Sequence, residues 1–215
     1  MQASTDKYPL ACYLNRSSAI AENYRTLKMN IQFSTDGGSA KSIAITSPNE
    51  GDGKTTTAVN LAIVYAHEAK RVLLVDTVCR HPKLHLLLGC SNQAGLVEVL
   101  SGSIPVEDAI QETQIEHLSL LPTGALSHNL SEKFSPPRFA SLLESCRERY
   151  DIILIDAPPM LQVSDAQWIA AVCDGIVLVV RSDKTKRQQI QRALETIGRV
   201  QGRTLGVVLN NYKYK

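Results

Sequence analysis

The sequence predicts an α/β fold: one domain built on a mostly parallel sheet, with helices covering both faces. Two observations carry this. Short apolar runs alternate along the chain with helical patterns, and those runs are continuously apolar rather than alternating with polar residues, which is how strands buried on both faces read. At 215 residues, with 44% hydrophobic and 20% charged residues, the chain has ample material for one such core. A net charge of +2 is too small to argue for nucleic acid or an anionic surface.

Residues 1–16 are polar and mixed and read as a loosely attached arm, followed by a domain over 17–211 and a short tail over 212–215. Residues 17–33 carry Ile20, Tyr24, Leu27, Met29 and Ile31 in a helical pattern, with Ser17 or Ser18 as the cap. Glu22, Arg25 and Lys28 recur every three residues, so spacing alone reads as one solvated face with intrahelical ion pairs. A turn at Asp36-Gly37-Gly38-Ser39 leads into the strand Ser42-Ile43-Ala44-Ile45-Thr46.

The next stretch, Ser47-Pro48-Asn49-Glu50-Gly51-Asp52-Gly53-Lys54-Thr55-Thr56, runs from that strand into a helix marked by Ala58, Leu61, Ala62 and Tyr65. A helix start has unpaired N–H groups and the positive end of the dipole, so the loop suits a polyphosphate. This is a P-loop in which Pro48 replaces the first glycine of the usual pattern. Nucleotide contacts are expected from Glu50, Gly51, Asp52, Gly53, Lys54, Thr55 and Thr56. Lys54 reaches the β- and γ-phosphates, and the Thr55 hydroxyl ligates Mg²⁺.

The run Arg71–Asp76 ends in a carboxylate at the rim that a parallel sheet shares with the P-loop. The loop behind it carries Arg80, His81 and Lys83 as possible phosphate-facing cations. His81 and His85 lack a third ligand nearby for a metal site. Short helices are expected over 95–102 and 106–113, and a strand at 118–122. The segment 129–146 reads as mostly helical, interrupted at Pro136-Pro137. Ile152-Ile153-Leu154-Ile155-Asp156 is a buried strand with its carboxylate at the rim, the Walker B arrangement, so Asp156 joins Asp76 as a Mg²⁺ ligand. A central strand at 175–180, a helix at 186–199 and a last strand at 205–211 complete the domain. Five cysteines without C-x-x-C spacing read as free core thiols. With no apolar run of membrane length and no signal sequence at its start, the protein is expected in the cytoplasm, reaching a membrane only through a partner.

Taken together, the loop 47–56, Asp76 with Arg80-His81-Pro82 behind it, and Asp156-Ala157-Pro158-Pro159 resemble the three Walker elements of bacterial tyrosine kinases. These are P-loop proteins of the deviant Walker type with a three-layer fold. The resemblance implies ATP and Mg²⁺ as cofactors, with Lys54, Asp76 and Asp156 in catalytic roles. It implies that Glu22, Arg25 and Lys28 match the E-x-x-R-x-x-R helix at the subunit interface of a ring homo-oligomer, with Lys28 in place of an arginine. It also implies phosphoacceptors at Tyr212 and Tyr214, a role in capsule or exopolysaccharide synthesis, and activation by a membrane-embedded chain-length regulator. One departure is sharp. Where the family pattern is D-x-D-x-R, this chain reads Asp76-Thr77-Val78-Cys79-Arg80, and valine cannot accept the tyrosine proton. The leading expectation is therefore a tyrosine kinase with reduced activity. A catalytically weak ATP-binding switch in the same pathway is the alternative. A partition or septum-positioning ATPase is disfavoured, because the signature lysine five positions before Lys54 is Asn49 here.

Overall fold

The computed structural model describes residues 9–35, 40–125 and 136–211. In chain order, α1 (Ala11–Leu14) and α2 (Ala19–Phe33) precede β1 (Ser42–Thr46), α3 (Lys54–Ala66) and β2 (Val72–Asp76). Then come α4 (Leu84–Leu88), α5 (Leu96–Ser101), α6 (Val106–Ala109), β3 (Gln111–Glu112), β4 (Leu118–Leu121) and α7 (Pro136–Arg147). The chain closes with β5 (Ile152–Asp156), α8 (Asp165–Val172), β6 (Gly175–Arg181), α9 (Arg187–Arg199) and β7 (Thr204–Asn210).

The strands form one sheet in the order β3-β4-β2-β5-β1-β6-β7, parallel throughout except where β3 meets β4. Successive side chains of a strand point to opposite faces, and here both faces are packed. Ala44, Leu73, Val75, Ile153 and Ile155 face α5 to α9 on one side. Ile43, Ile45, Leu74, Leu154 and Val177 face α1 to α4 on the other. That two-sided burial is why the strand runs are continuously apolar. The helix α3 lies against the sheet and under α2, so nearly every residue of it is buried.

Several expectations change on contact with the structure. Residues 9–14 are not a loose arm. Cys12 is fully buried, and its N–H donates to Asn60 Oδ1 at 2.9 Å, while Asn60 Nδ2 donates to the carbonyls of Pro9 and Thr56 at 2.6 and 2.8 Å. One buried amide in α3 thus satisfies backbone groups that the short α1 cannot pair itself. The segment 106–113 is helical only to Ala109 and then turns into β3, since Gln111 and Glu112 complete the ladder beside β4. Among the described residues, the helical part of the 129–146 segment starts at Pro136, in keeping with proline's tolerance in a first helical turn. The glycine turn at 36–39, the start of the 129–146 segment, and Tyr212 and Tyr214 lie outside the described residues.

Candidate active site

Strand register assembles the site. Asp76 and Asp156 are direct partners across β2 and β5, and Ile45, one residue before the end of β1, also stands opposite Asp156. The phosphate loop leaving β1 and both carboxylates therefore meet at one rim. The loop turns through Gly51 and Gly53 at φ of 81° and 100°, a left-handed region that favours glycine. A Cβ on Gly53 would stand 2.0 Å from Asn210 Nδ2.

Lys54 opens α3 with its side chain almost wholly buried. Its Nζ lies 3.7 Å from Asp156 Oδ1 and 3.3 Å from Thr55 Oγ1. Asp76 accepts the N–H of Val78 on Oδ1 at 3.0 Å and that of Leu84 on Oδ2 at 3.3 Å, which shapes the loop behind β2. Burial pushes the Asp76 carboxyl up, and the neighbouring Asp156 adds to this; the two N–H groups and Lys54 only partly offset it. Burial likewise raises Asp156, against the pull of Lys54 and Thr55. Two like charges out of water favour a cation between them.

Asp156 Oδ1 is buried and accepts no hydrogen bond. That free acceptor, with Asp76 and the Thr55 hydroxyl beside Lys54, is an all-oxygen donor set of the kind Mg²⁺ takes along with substrate phosphates. The residues present fit the ion.

A cleft of about 540 Å³ opens above this cluster. Glu50, Gly51, Gly53, Lys54, Thr55, Thr56 and Arg80 all line it. The Asp52 side chain is turned away: its carboxylate accepts from the Asn49 N–H at 3.0 Å and from Thr185 Oγ1 at 2.9 Å. An acceptor inside the loop is used by the loop itself, so the side chain of Asp52 braces the cradle. Val78 lines the cleft with Thr77 and Cys79, so an apolar side chain stands at the position of the second aspartate of the D-x-D-x-R pattern.

Residues that sequence reasoning missed hold the loop from behind. Lys184 Nζ donates to the Glu50 carbonyl at 3.2 Å and Asn210 Nδ2 to the Asp52 carbonyl at 3.0 Å. These partners are more than 130 residues apart in the chain, and no spacing rule reaches that far. Asp165 also enters the cleft, at the start of α8; the Ser164-Asp165 pair ahead of Ala166 and Ile169 was its helix-start signal.

Away from the cleft, the α2 triplet divides. Arg25 pairs with Glu22 at the surface, whereas Lys28 is 7% exposed and pairs with Glu68 after α3. The face drawn from spacing loses Lys28 to the interior of its own chain. No helix among the described residues is long and apolar enough to cross a membrane.

A family model described as an AAA domain matches residues 40–210. The tyrosine-protein kinase YwqD of Bacillus subtilis is 38% identical over 193 residues, which are 90% of this chain and 81% of that protein. The chimeric protein CapA2B2 superposes with a TM-score of 0.90 at 33% identity, covering 96% of this chain and 91% of that one. The kinase domain of the Escherichia coli tyrosine kinase ETK gives a TM-score of 0.92 at 26% identity over 100% of this chain and 92% of its own. With the nucleotide loop, the two rim carboxylates and these likenesses in hand, the chain belongs to the P-loop bacterial tyrosine-protein kinases.

Proposed function

We propose that this protein transfers the γ-phosphoryl group of ATP to tyrosine hydroxyls, with Tyr212 and Tyr214 of a neighbouring subunit among the acceptors. The observation that carries the reading is the buried cluster of Lys54, Asp156 and Asp76 at the phosphate loop. Phosphoryl transfer needs positioning and charge neutralisation more than covalent help from the protein. In this role the loop N–H groups cradle the β- and γ-phosphates, Lys54 neutralises the group in flight, and Arg80 adds a cation from across the cleft. Mg²⁺, held by Thr55, Asp76 and Asp156, supplies further neutralisation of the phosphate oxygens.

Subunits meet through Glu22 and Arg25, which stay at the surface of α2, while Lys28 supports the helix from within. The enzyme acts at the inner face of the membrane, recruited and activated by a membrane-embedded chain-length regulator, and governs capsule or exopolysaccharide synthesis. Val78 in the cleft favours one second reading: a slow enzyme whose chief output is its nucleotide state. Lys54→Met tests the chemistry common to both readings. The expected result is loss of phosphotyrosine in a variant that still unfolds cooperatively; full labelling of this variant sinks the assignment of Lys54 and with it the proposed chemistry.

A further inference from the structure

Val78 leaves a gap in the chemistry. When a tyrosine attacks the γ-phosphorus, its O–H proton needs an acceptor, and the residue two positions after Asp76 is apolar. Another carboxylate lies in the same cleft. Asp165 lines it together with Val78, Cys79 and Arg80.

The route by which Asp165 arrives is well determined. The segment leaving β5 is tied to the start of the phosphate loop. The Ala157 N–H donates to the Ile45 carbonyl at 2.9 Å, the Met160 N–H to the Ser47 carbonyl at 2.8 Å, and Thr46 Oγ1 to the Pro158 carbonyl at 2.7 Å. The segment that leads to α8 is therefore tied to the start of the phosphate loop by hydrogen bonds on the β1 side.

A plainer role exists for Asp165. An acid in a first helical turn complements the dipole, typically by about 0.3–1 kcal/mol. That role does not require a buried oxygen, yet Asp165 Oδ1 is buried and accepts no hydrogen bond. An unsatisfied buried acceptor is costly to keep, and the residue that carries it lines the cleft. Burial holds the Asp165 carboxyl above the ordinary carboxylate range, with Arg80 opposing. That direction improves a carboxylate as a proton acceptor near neutral pH.

We propose that Asp165 accepts the tyrosine proton in this protein, in place of the carboxylate that Val78 lacks. The inference rests on the kinase reading above. In the step, a bond forms between the tyrosine oxygen and the γ-phosphorus. The bond from the γ-phosphorus to the β–γ bridging oxygen breaks, and its electron pair leaves with ADP. The phenolic proton passes to the Asp165 carboxylate and is returned to solvent after product leaves.

The test is single-turnover transfer from Mg-ATP to tyrosine on the full chain, with nucleotide affinity measured alongside by a fluorescent ADP analogue. Asp165→Asn, and Asp165→Ser as a second variant that also suits a helix start, are compared with wild type and with the double variant Val78→Asp/Asp165→Asn. Expected is a fall of about 10²-fold or more in transfer rate for Asp165→Asn, nucleotide affinity within threefold, and recovery of at least tenfold in the double variant. Val78→Asp alone completes the cycle: a gain larger in the Asp165→Asn background than in wild type marks one shared role, which support of the helix does not produce. Transfer by both single variants within threefold of wild type overturns the inference while leaving the kinase reading standing. So does a slowed rate that Val78→Asp does not recover, or one traced to lost nucleotide affinity. Nucleotide binding with no phosphotyrosine in wild type or the Val78→Asp variant overturns the kinase reading itself, and the role of Asp165 falls with it.

Discussion

Asp174 works at the rim opposite the phosphate loop, where β1 and β6 begin. Its Oδ2 accepts the N–H groups of Lys41 and Ser42 at 2.8 and 2.9 Å, and its Oδ1 accepts from Arg147 at 2.8 Å. One side chain thus joins β1, β6 and the end of α7. Burial pushes this carboxyl up, but Arg147 and the two N–H groups together outweigh it and hold it below the ordinary range. Replacing it by Asn keeps the shape and removes the charge from three hydrogen bonds, and hydrogen bonds to charged groups contribute about 1.5–3 kcal/mol each. Asp174→Asn is expected to lower unfolding free energy by about 1–3 kcal/mol in a denaturant titration, with nucleotide affinity unchanged because the site lies at the other end of the strands. Gly53 is the counterpart at the active rim, where a left-handed φ and the Asn210 amide leave no place for a side chain.

At the scale of elements, α2 begins where its sequence says it should. Ser18 has extended backbone angles, and its Oγ accepts the Ala21 N–H at 3.1 Å. Ser18→Ala is expected to cost about 1 kcal/mol, read as a lowered denaturation midpoint with no change in slope. The same helix marks where spacing misleads. Three-residue steps fall about 60° short of a full turn on a helix with 3.6 residues per turn. Residues 22, 25 and 28 therefore drift around the axis, and Lys28 rotates towards α3. The long elements were legible because their signals are strong: continuous apolar runs for β1, β2, β5 and β6, and a capped periodic stretch for α2. Lys54, Asp76 and Asp156 were legible because a loop and two strand ends announce them locally. Short pieces such as α1, α4 and α8 have too few turns to show a period. Asp165 and the braces Lys184 and Asn210 matter only through contacts made across the folded sheet, which local pattern does not encode.

For the whole molecule, two groups of carboxylates pull stability in opposite directions with pH. Asp151, bonded by the Arg71 guanidinium, is held down at about 2, and Asp174 is also depressed. Stabilisation from these two is complete above their unfolded value near 3.8 and disappears as pH falls through the folded values. Asp76, Asp156 and Asp165 are raised by burial. Their contribution is present below the unfolded value and is lost as pH rises through the folded ones. The nucleotide-free protein is therefore expected to be most stable in mildly acidic solution, between the two windows, and thermal unfolding across roughly pH 2.5 to 8 checks this. A melting temperature that rises steadily to pH 8 contradicts it. Mg-nucleotide favours the ionised forms of Asp76 and Asp156, so its addition is expected to flatten the alkaline side.

Asn60 gives the fold a mechanical property. Its amide grips the chain at Pro9 and Cys12 and, with the same nitrogen, the carbonyl of Thr56 in the first turn of α3. Pro9 and Thr56 both line the nucleotide cleft. One side chain therefore ties the lip of the cleft to the first turn of α3, so the two ends of that contact are positioned together.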